Sequence, residues 1–205
     1  VCSSDLVSEM TLRTRSWWGM CFVFLFASIV NPIITYIGLA FLSFFTLREV
    51  YTLLKLRDAD RTTLVACYLS IPIQYYFAYQ GWYTMFLIFI PVFMFVIIPF
   101  LLVLSGDTED IIRSMCILPT SLMLGVFGIS HLALLISFPE MNDGNISGKA
   151  LLLFLIFITE ANDIMQFVFG KIFGKHKILP KVSPNKTWEG FIGGVISTTI
   201  IGYYM

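Results

Sequence analysis

The chain has 205 residues, of which 58% are hydrophobic and only 13% charged, and its 13 basic and 13 acidic side chains cancel to a formal net charge of zero. A soluble domain carries about 25% charged residues, so this composition excludes an ordinary soluble protein, and no nucleic acid is expected as a partner. A surface this apolar needs lipid as its solvent. We predict an all-α fold, a polytopic transmembrane helix bundle that forms a single integral membrane domain over residues 1–205.

Apolar segments of spanning length recur along the chain. A spanning helix needs about 20 mostly apolar residues, and by this measure we predict about seven spans. In chain order the predicted spans are 17–30, 33–54, 62–79, 83–104, 114–138, 150–170 and 191–205. Because the chain begins with Val1 and stops at Met205 inside an apolar run, we expect it to be a fragment of a longer protein.

Basic residues fall in every second loop. The loop between the sixth and seventh predicted spans is the most basic, and among the alternate connections the only basic residue is Lys149. The other loop cations are Arg13, Arg15, Lys55, Arg57, Arg61 and Arg113. Since cytoplasmic loops carry the excess of Lys and Arg, we predict a multi-pass protein of a bacterial-type cytoplasmic membrane with loop 171–187 on the cytoplasmic side.

Carboxylates interrupt the sixth predicted span. A charge at the middle of a spanning helix costs about 2.5–3.5 kcal/mol on insertion scales, and Glu160 and Asp163 lie three residues apart on one helix face. Mg²⁺ binds through one or two carboxylates together with substrate phosphates, so we predict both as metal ligands and Asn162 beside them as a substrate contact. The alternative is a polar group that joins neighbouring helices.

The loop that follows is strongly basic. Residues 171–186 contain five lysines and His176 but no acid. Ammonium groups can offset the charge of a triphosphate as it shifts between oxygens, and Gly170 and Gly174 would let the backbone approach a ligand closely. Two alternatives remain: the loop binds anionic lipid headgroups, and Ser183 or Thr187 simply caps the next helix.

Two stretches within residues 159–190 carry a family resemblance. GKIFGKHK at 170–177 and VSPNKTWEGFIGG at 182–194, after an Asp in a late apolar helix, resemble the phosphatidate cytidylyltransferases, also called CDP-diacylglycerol synthases. The chain departs from the family where Ile164 to Phe167 replace small residues after the Asp, and where the C-terminal signature with a second metal-binding carboxylate is absent.

The resemblance implies transfer of a cytidylyl group from CTP to phosphatidate, giving CDP-diacylglycerol and pyrophosphate in phospholipid biosynthesis, with Mg²⁺ as cofactor. It implies catalytic roles for Asp163, Lys186 and Ser183. The residues expected to bind substrate are Asn162, Lys171, Lys175, His176, Lys177, Lys181, Ser183, Lys186 and Thr187.

Three other functions stay open. The acceptor could be another lipid phosphate, such as an isoprenoid one. The chain could instead belong to a cation-coupled transporter that uses Glu160 and Asp163, or to a lipid-binding scaffold without activity. A homodimer is compatible with the sequence, which does not indicate the oligomeric state.

Overall fold

A computed structural model describes residues 31–54, 56–57, 60–107, 109–137, 147–181 and 183–205. The first predicted span, 17–30, lies outside these residues. The described residues fall into two compact units, one within Ala27–Lys149 and the other within Ala150–Met205.

Four helices build the first unit. They are α1 (Pro32–Leu53), α2 (Arg61–Tyr79), α3 (Tyr83–Leu104) and α4 (Ile111–Ile136). Helix α1 begins where predicted, because the Asn31 side chain accepts a hydrogen bond from the Ile33 N–H at 2.9 Å and Pro32 supplies a helix-compatible φ. Helices α3 and α4 each contain a π-helical turn, at Phe89–Met94 and Met123–Phe127.

The interior of this unit is apolar with a few paired polar groups. Phe86, Leu39 and Leu122 are fully buried. The Tyr75 hydroxyl lies 2.9 Å from both the Ser43 hydroxyl and the Leu39 carbonyl. Such hydrogen bonds satisfy polar groups that neither lipid nor the apolar core could satisfy, so they hold α1 against α2.

Arg57 joins two loops at one end of this unit. Its guanidinium lies 2.7 Å from the Asp60 carboxylate and donates to the backbone carbonyls of Asp107 and Glu109. Arg57 thus joins the loop after α1 to Asp107 and Glu109 after α3, which is consistent with the predicted alternation of loops. The Asp60 carboxylate is fully buried and also accepts from Ser114 at 2.7 Å.

The second unit contains two helices with a hairpin between them. Helix α5 (Gly148–Phe173) enters it, strands β1 (Lys177–Leu179) and β2 (Ser183–Thr187) pair antiparallel, and α6 is Trp188–Tyr204. The hairpin corrects the all-α prediction, which treated 171–187 as an irregular loop. Pro184 is compatible with this short two-stranded edge, where its missing N–H costs little.

Four of the described helices are long and apolar enough to cross a membrane: α1, α3, α4 and α5. This fits an integral membrane protein, but it does not confirm seven spans. The predicted span 62–79 does form a helix, α2, yet Gln74, Ser70 and four tyrosines make it less apolar. The predicted span 191–205 lies in α6 except for its last residue, and this helix is 17 residues long.

Candidate active site

Asp163 lies on the wall of a cavity in the second unit. The cavity has a volume of about 550 Å³, within the range of small-molecule sites. Helix α5, the hairpin and α6 all contribute to its wall. The lining residues are Asp163, Gln166, Phe167, Gly170, Lys171, Ile178, Ser183, Asn185, Lys186, Thr187 and Phe191.

Helix geometry explains the contribution of α5. Asp163, Gln166, Phe167 and Gly170 are spaced by three or four residues and therefore share one helix face. Lys171 follows in the last turn of the helix, where a cation is favoured by the helix dipole. Its ammonium lies 5.6 Å from the centre of the Phe167 ring. The arrangement brings one carboxylate and one ammonium to the same cavity.

Strand β2 provides further polar groups to the cavity wall. Ser183, Asn185, Lys186 and Thr187 all line the cavity from this five-residue strand. Thr187 also caps α6, because its hydroxyl oxygen accepts the Gly190 N–H at 3.2 Å. Capping does not exclude binding, since a hydroxyl that accepts one hydrogen bond can still donate its own proton.

The two glycines before the hairpin have different surroundings. Gly170 lines the cavity, where the lack of a side chain would let the backbone approach a ligand as predicted. Gly174 packs instead against the chain itself: a Cβ there would lie 2.1 Å from the Gly170 carbonyl oxygen and 2.8 Å from the Thr187 hydroxyl. Gly174 therefore allows the end of α5 to approach the start of α6.

His176 is turned toward the start of α6. Its Nδ1 lies 2.6 Å from a carboxylate oxygen of Glu189. That carboxylate also accepts the backbone N–H groups of Lys175 and His176 at 3.1 and 3.2 Å. The hydrogen bond with His176, then that with its own backbone N–H, and lastly these two backbone contacts lower the pKa of Glu189 to about 2. Glu189 thus stays ionised at neutral pH.

The predicted site residues divide into two sets. Asp163, Lys171, Ser183, Lys186 and Thr187 share the cavity wall. The predicted residues that are not among the lining residues are Glu160, Asn162, Lys175, His176, Lys177 and Lys181. Of these, Asn162 lies 3.4 Å from the Thr198 hydroxyl of α6, which matches the alternative interpretation of a polar group that joins helices.

Two polar lining residues were missed by the sequence interpretation. Gln166 lies three residues after Asp163, and this helical spacing could have identified it. Asn185 lies inside the SPNKT stretch, but its inward direction depends on the register of the hairpin. Glu189 was missed as well, because nothing local to its sequence indicates a contact with residues 13 and 14 positions earlier.

The cavity offers oxygen ligands that suit a hard cation, provided that phosphates and waters supply the remaining ligands. Among the residues that the structure describes, no group of three or more His, Cys, Asp or Glu side chains could enclose a metal. Asp163 supplies a single carboxylate to the cavity wall, beside hydroxyl and amide groups. Mg²⁺ accepts one or two protein carboxylates when phosphates and waters complete its shell, so the chemistry of these donors fits it.

Comparisons with known proteins identify the family of this chain. A family model described as "Cytidylyltransferase family" matches residues 11–205. The "Uncharacterized protein YnbB" of Escherichia coli K12 is 37% identical over 193 residues, which cover 94% of this chain and 62% of that protein. The chain therefore spans less than two thirds of this relative. No solved structure gives a significant match.

Shorter matches come from proteins named phosphatidate cytidylyltransferase. The one from Staphylococcus saprophyticus is 37% identical over 70 residues, 34% of this chain and 27% of that protein. The one from Haemophilus influenzae is 43% identical over 56 residues, 27% of this chain and 19% of that protein. With the family model matching almost the whole length, the chain belongs to the cytidylyltransferase family.

Proposed function

We propose that the protein transfers a cytidylyl group from CTP to phosphatidate, releasing pyrophosphate. The observation that carries the proposal is the shared cavity wall of Asp163, Lys171, Ser183 and Lys186. A cavity wall that combines a carboxylate with ammonium and hydroxyl groups suits a substrate with several phosphates. The names of the shorter relatives support phosphatidate as the acceptor.

The apolar part of the wall supports a lipid acceptor. Phe167, Ile178 and Phe191 line the cavity beside the polar groups, and Phe191 is 45% exposed at the same time. A phosphate headgroup could enter among the polar side chains while the acyl tails stay along apolar helices in the bilayer. This mixed wall suits a lipid phosphate better than a fully water-soluble acceptor.

The proposed reaction needs no covalent intermediate. A phosphate oxygen of the lipid attacks the α-phosphorus of CTP, and the bond from that phosphorus to the oxygen bridging to the β-phosphate breaks. Pyrophosphate leaves with the bonding electrons. Lys171 and Lys186 offset the charge that develops on it, while the hydroxyls of Ser183 and Thr187 donate hydrogen bonds that hold the nucleotide phosphates in line.

Mg²⁺ is the proposed cofactor, with Asp163 as its ligand in this chain. When bound together with the nucleotide phosphates it would supply further positive charge at the reacting centre. Gln166 and Asn185 offer neutral amides that can hydrogen-bond to the nucleotide. We place loop 171–187 on the cytoplasmic side, where CTP is available, from the alternation of basic loops.

The test is cytidylyl transfer by the full-length protein in mixed micelles. Labelled CTP, phosphatidate and Mg²⁺ should give a labelled lipid, and Asp163→Asn should lower the rate at least about a hundredfold. Glu160→Gln on the same helix is the matched control, because Glu160 does not line the cavity. Full activity of Asp163→Asn would overturn the assignment, and an isoprenoid phosphate preferred over phosphatidate would replace the acceptor.

A further inference from the structure

The carboxylate of Glu189 accepts hydrogen bonds from three donor groups of the two residues just before the hairpin. It accepts the Lys175 N–H at 3.1 Å, the His176 N–H at 3.2 Å to each oxygen, and pairs with His176 Nδ1 at 2.6 Å. Glu189 itself lies in the first turn of α6, where a negative charge is favoured by the helix dipole. One side chain therefore ties the chain leaving α5 to the start of α6.

Part of this attachment does not depend on the His176 ring, because two of its hydrogen bonds come from backbone N–H groups. The His176 side chain is 80% exposed and that of Glu189 27% exposed, and ion pairs open to water contribute little by themselves. Hydrogen bonds from backbone N–H groups to a carboxylate are stronger than neutral ones, and their donors give up no side-chain freedom. The attachment should therefore persist when only the His176 ring is removed.

A second contact fixes the same residue from the other side. The Trp188 N–H donates to the His176 carbonyl at 2.9 Å. Residue 176 is thus held through both its N–H and its C=O by consecutive residues of α6. Strand β1 starts at the next residue, where Lys177 pairs with Thr187. The position of residue 176 consequently sets where the hairpin begins.

The hairpin carries much of the proposed nucleotide site. Ser183, Lys186 and Thr187 on β2 and Ile178 on β1 line the cavity, whereas Glu189 and His176 are not among its lining residues. The start of β1 pairs with Thr187 at the end of β2. Loss of the attachment at residue 176 would therefore loosen this pairing and disturb the hairpin side chains that reach the cavity.

We propose that Glu189 is a positioning residue. It holds residues 175 and 176 so that the β1–β2 hairpin presents Ser183 and Lys186 to the nucleotide phosphates. His176 acts as the partner of Glu189 and not as a substrate ligand. This inference rests on the proposed function, because it assumes that the cavity binds a nucleotide. The attachment of Glu189 to residues 175 and 176 can be measured without any cytidylyl transfer.

Amide hydrogen exchange of the full-length protein in detergent tests the attachment directly. Glu189→Ala should raise exchange in peptides covering residues 174–177 on the order of tenfold, as loss of a hydrogen bond to a charged group implies. Glu189→Gln retains an acceptor oxygen and should recover part of the protection. Asp163→Asn, which leaves the attachment intact, should not change these peptides. Unchanged exchange in Glu189→Ala would overturn the proposal.

Kinetics and a double-mutant cycle test the positioning role. Glu189→Gln should raise KM for CTP several-fold more than it lowers kcat, whereas a merely structural defect would lower the amount of folded enzyme and leave KM unchanged. His176→Ala should add little once Glu189 is replaced, because the two act as a unit; fully additive losses would instead place His176 on the substrate and overturn its assignment.

The two proposals fail in different ways. Faster exchange in Glu189→Ala together with no cytidylyl transfer by the wild-type protein would leave the attachment valid and refute the proposed function. Unchanged exchange with normal transfer would refute the positioning role and leave the function standing. If Glu189→Ala fails to fold, Glu189→Gln must still show the partial rise in exchange for the proposal to survive.

Discussion

Gly190 of α6 lies directly against Gly170 of α5: a Cβ on Gly190 would stand 2.8 Å from the Gly170 Cα and 2.7 Å from the Gln166 carbonyl oxygen. Real Cβ atoms do not approach other atoms this closely. Small residues allow two helix backbones to pack closely in membrane proteins. Because Gln166 and Gly170 line the cavity, this contact lies at the wall of the candidate site.

Gly190→Ala should therefore destabilise the second unit. Overpacking of this kind costs about 1–3 kcal/mol, so the thermal unfolding midpoint in detergent should fall. Gly38→Ala in α1 is the matched control, because a Cβ at Gly38 meets nothing within 4 Å. It should be neutral or gain up to about 1 kcal/mol from helix propensity. Equal midpoints for both variants would show that the α5–α6 contact does not require Gly190.

The lysines of loop 171–187 should differ in their importance. Lys186 lines the cavity, while Lys181 does not. Lys186→Gln should raise KM for CTP about tenfold or more, as expected for loss of a hydrogen bond to a charged group. Lys181→Gln keeps the hairpin and should stay within about twofold of wild type. Steady-state kinetics over a range of CTP concentrations give KM for each variant. An equal rise in KM for Lys186→Gln and Lys181→Gln would indicate that the loop acts through its overall charge alone.

Asp60 should be essential for the stability of the first unit. Burial pushes the pKa of Asp60 upward, but the hydrogen bonds from Arg57 and Ser114 outweigh it and hold the pKa below its ordinary value. Asp60→Ala removes the nearest carboxylate partner of Arg57 and the acceptor of the Ser114 hydroxyl, and the loss of these hydrogen bonds should cost about 1–3 kcal/mol. Asp107→Ala is the control, because its carboxylate is 48% exposed and 4.0 Å from Arg57. Similar unfolding midpoints for both would contradict the role of Asp60.

The contribution of Glu189 to stability should depend on pH only under acidic conditions. Its pKa is lowered from the ordinary 4.5 to about 2 by the contacts with His176 and Lys175. A depressed pKa contributes stability that is present above pH 4.5 and is lost as the pH falls toward 2. The difference between the unfolding midpoints of wild type and Glu189→Gln should therefore be largest at pH 5, shrink as the pH falls below 4.5 and vanish near pH 2. A constant difference down to pH 2.5 would show that the charge of Glu189 is not involved.

Much of this protein was predictable from local sequence. Apolar runs of spanning length identify α1, α3, α4 and α5, since lipid permits only helices with satisfied backbones there. Asp163 stands out because a carboxylate in such a run is costly, and the lysine-rich loop stands out by composition. The approximate place of the candidate site followed from these two features.

Only the tertiary structure decided which residues meet. Lys171 and Lys186 reach the cavity while Lys175, Lys177 and Lys181 are not among its lining residues, because side-chain direction depends on the helix end and on the register of a hairpin that the sequence did not reveal. The contact of Glu189 with His176 and that of Gly190 with Gly170 join residues 13 and 20 positions apart. Charge and apolarity are properties of a residue and its neighbours in sequence, whereas these contacts exist only once α5 and α6 pack together.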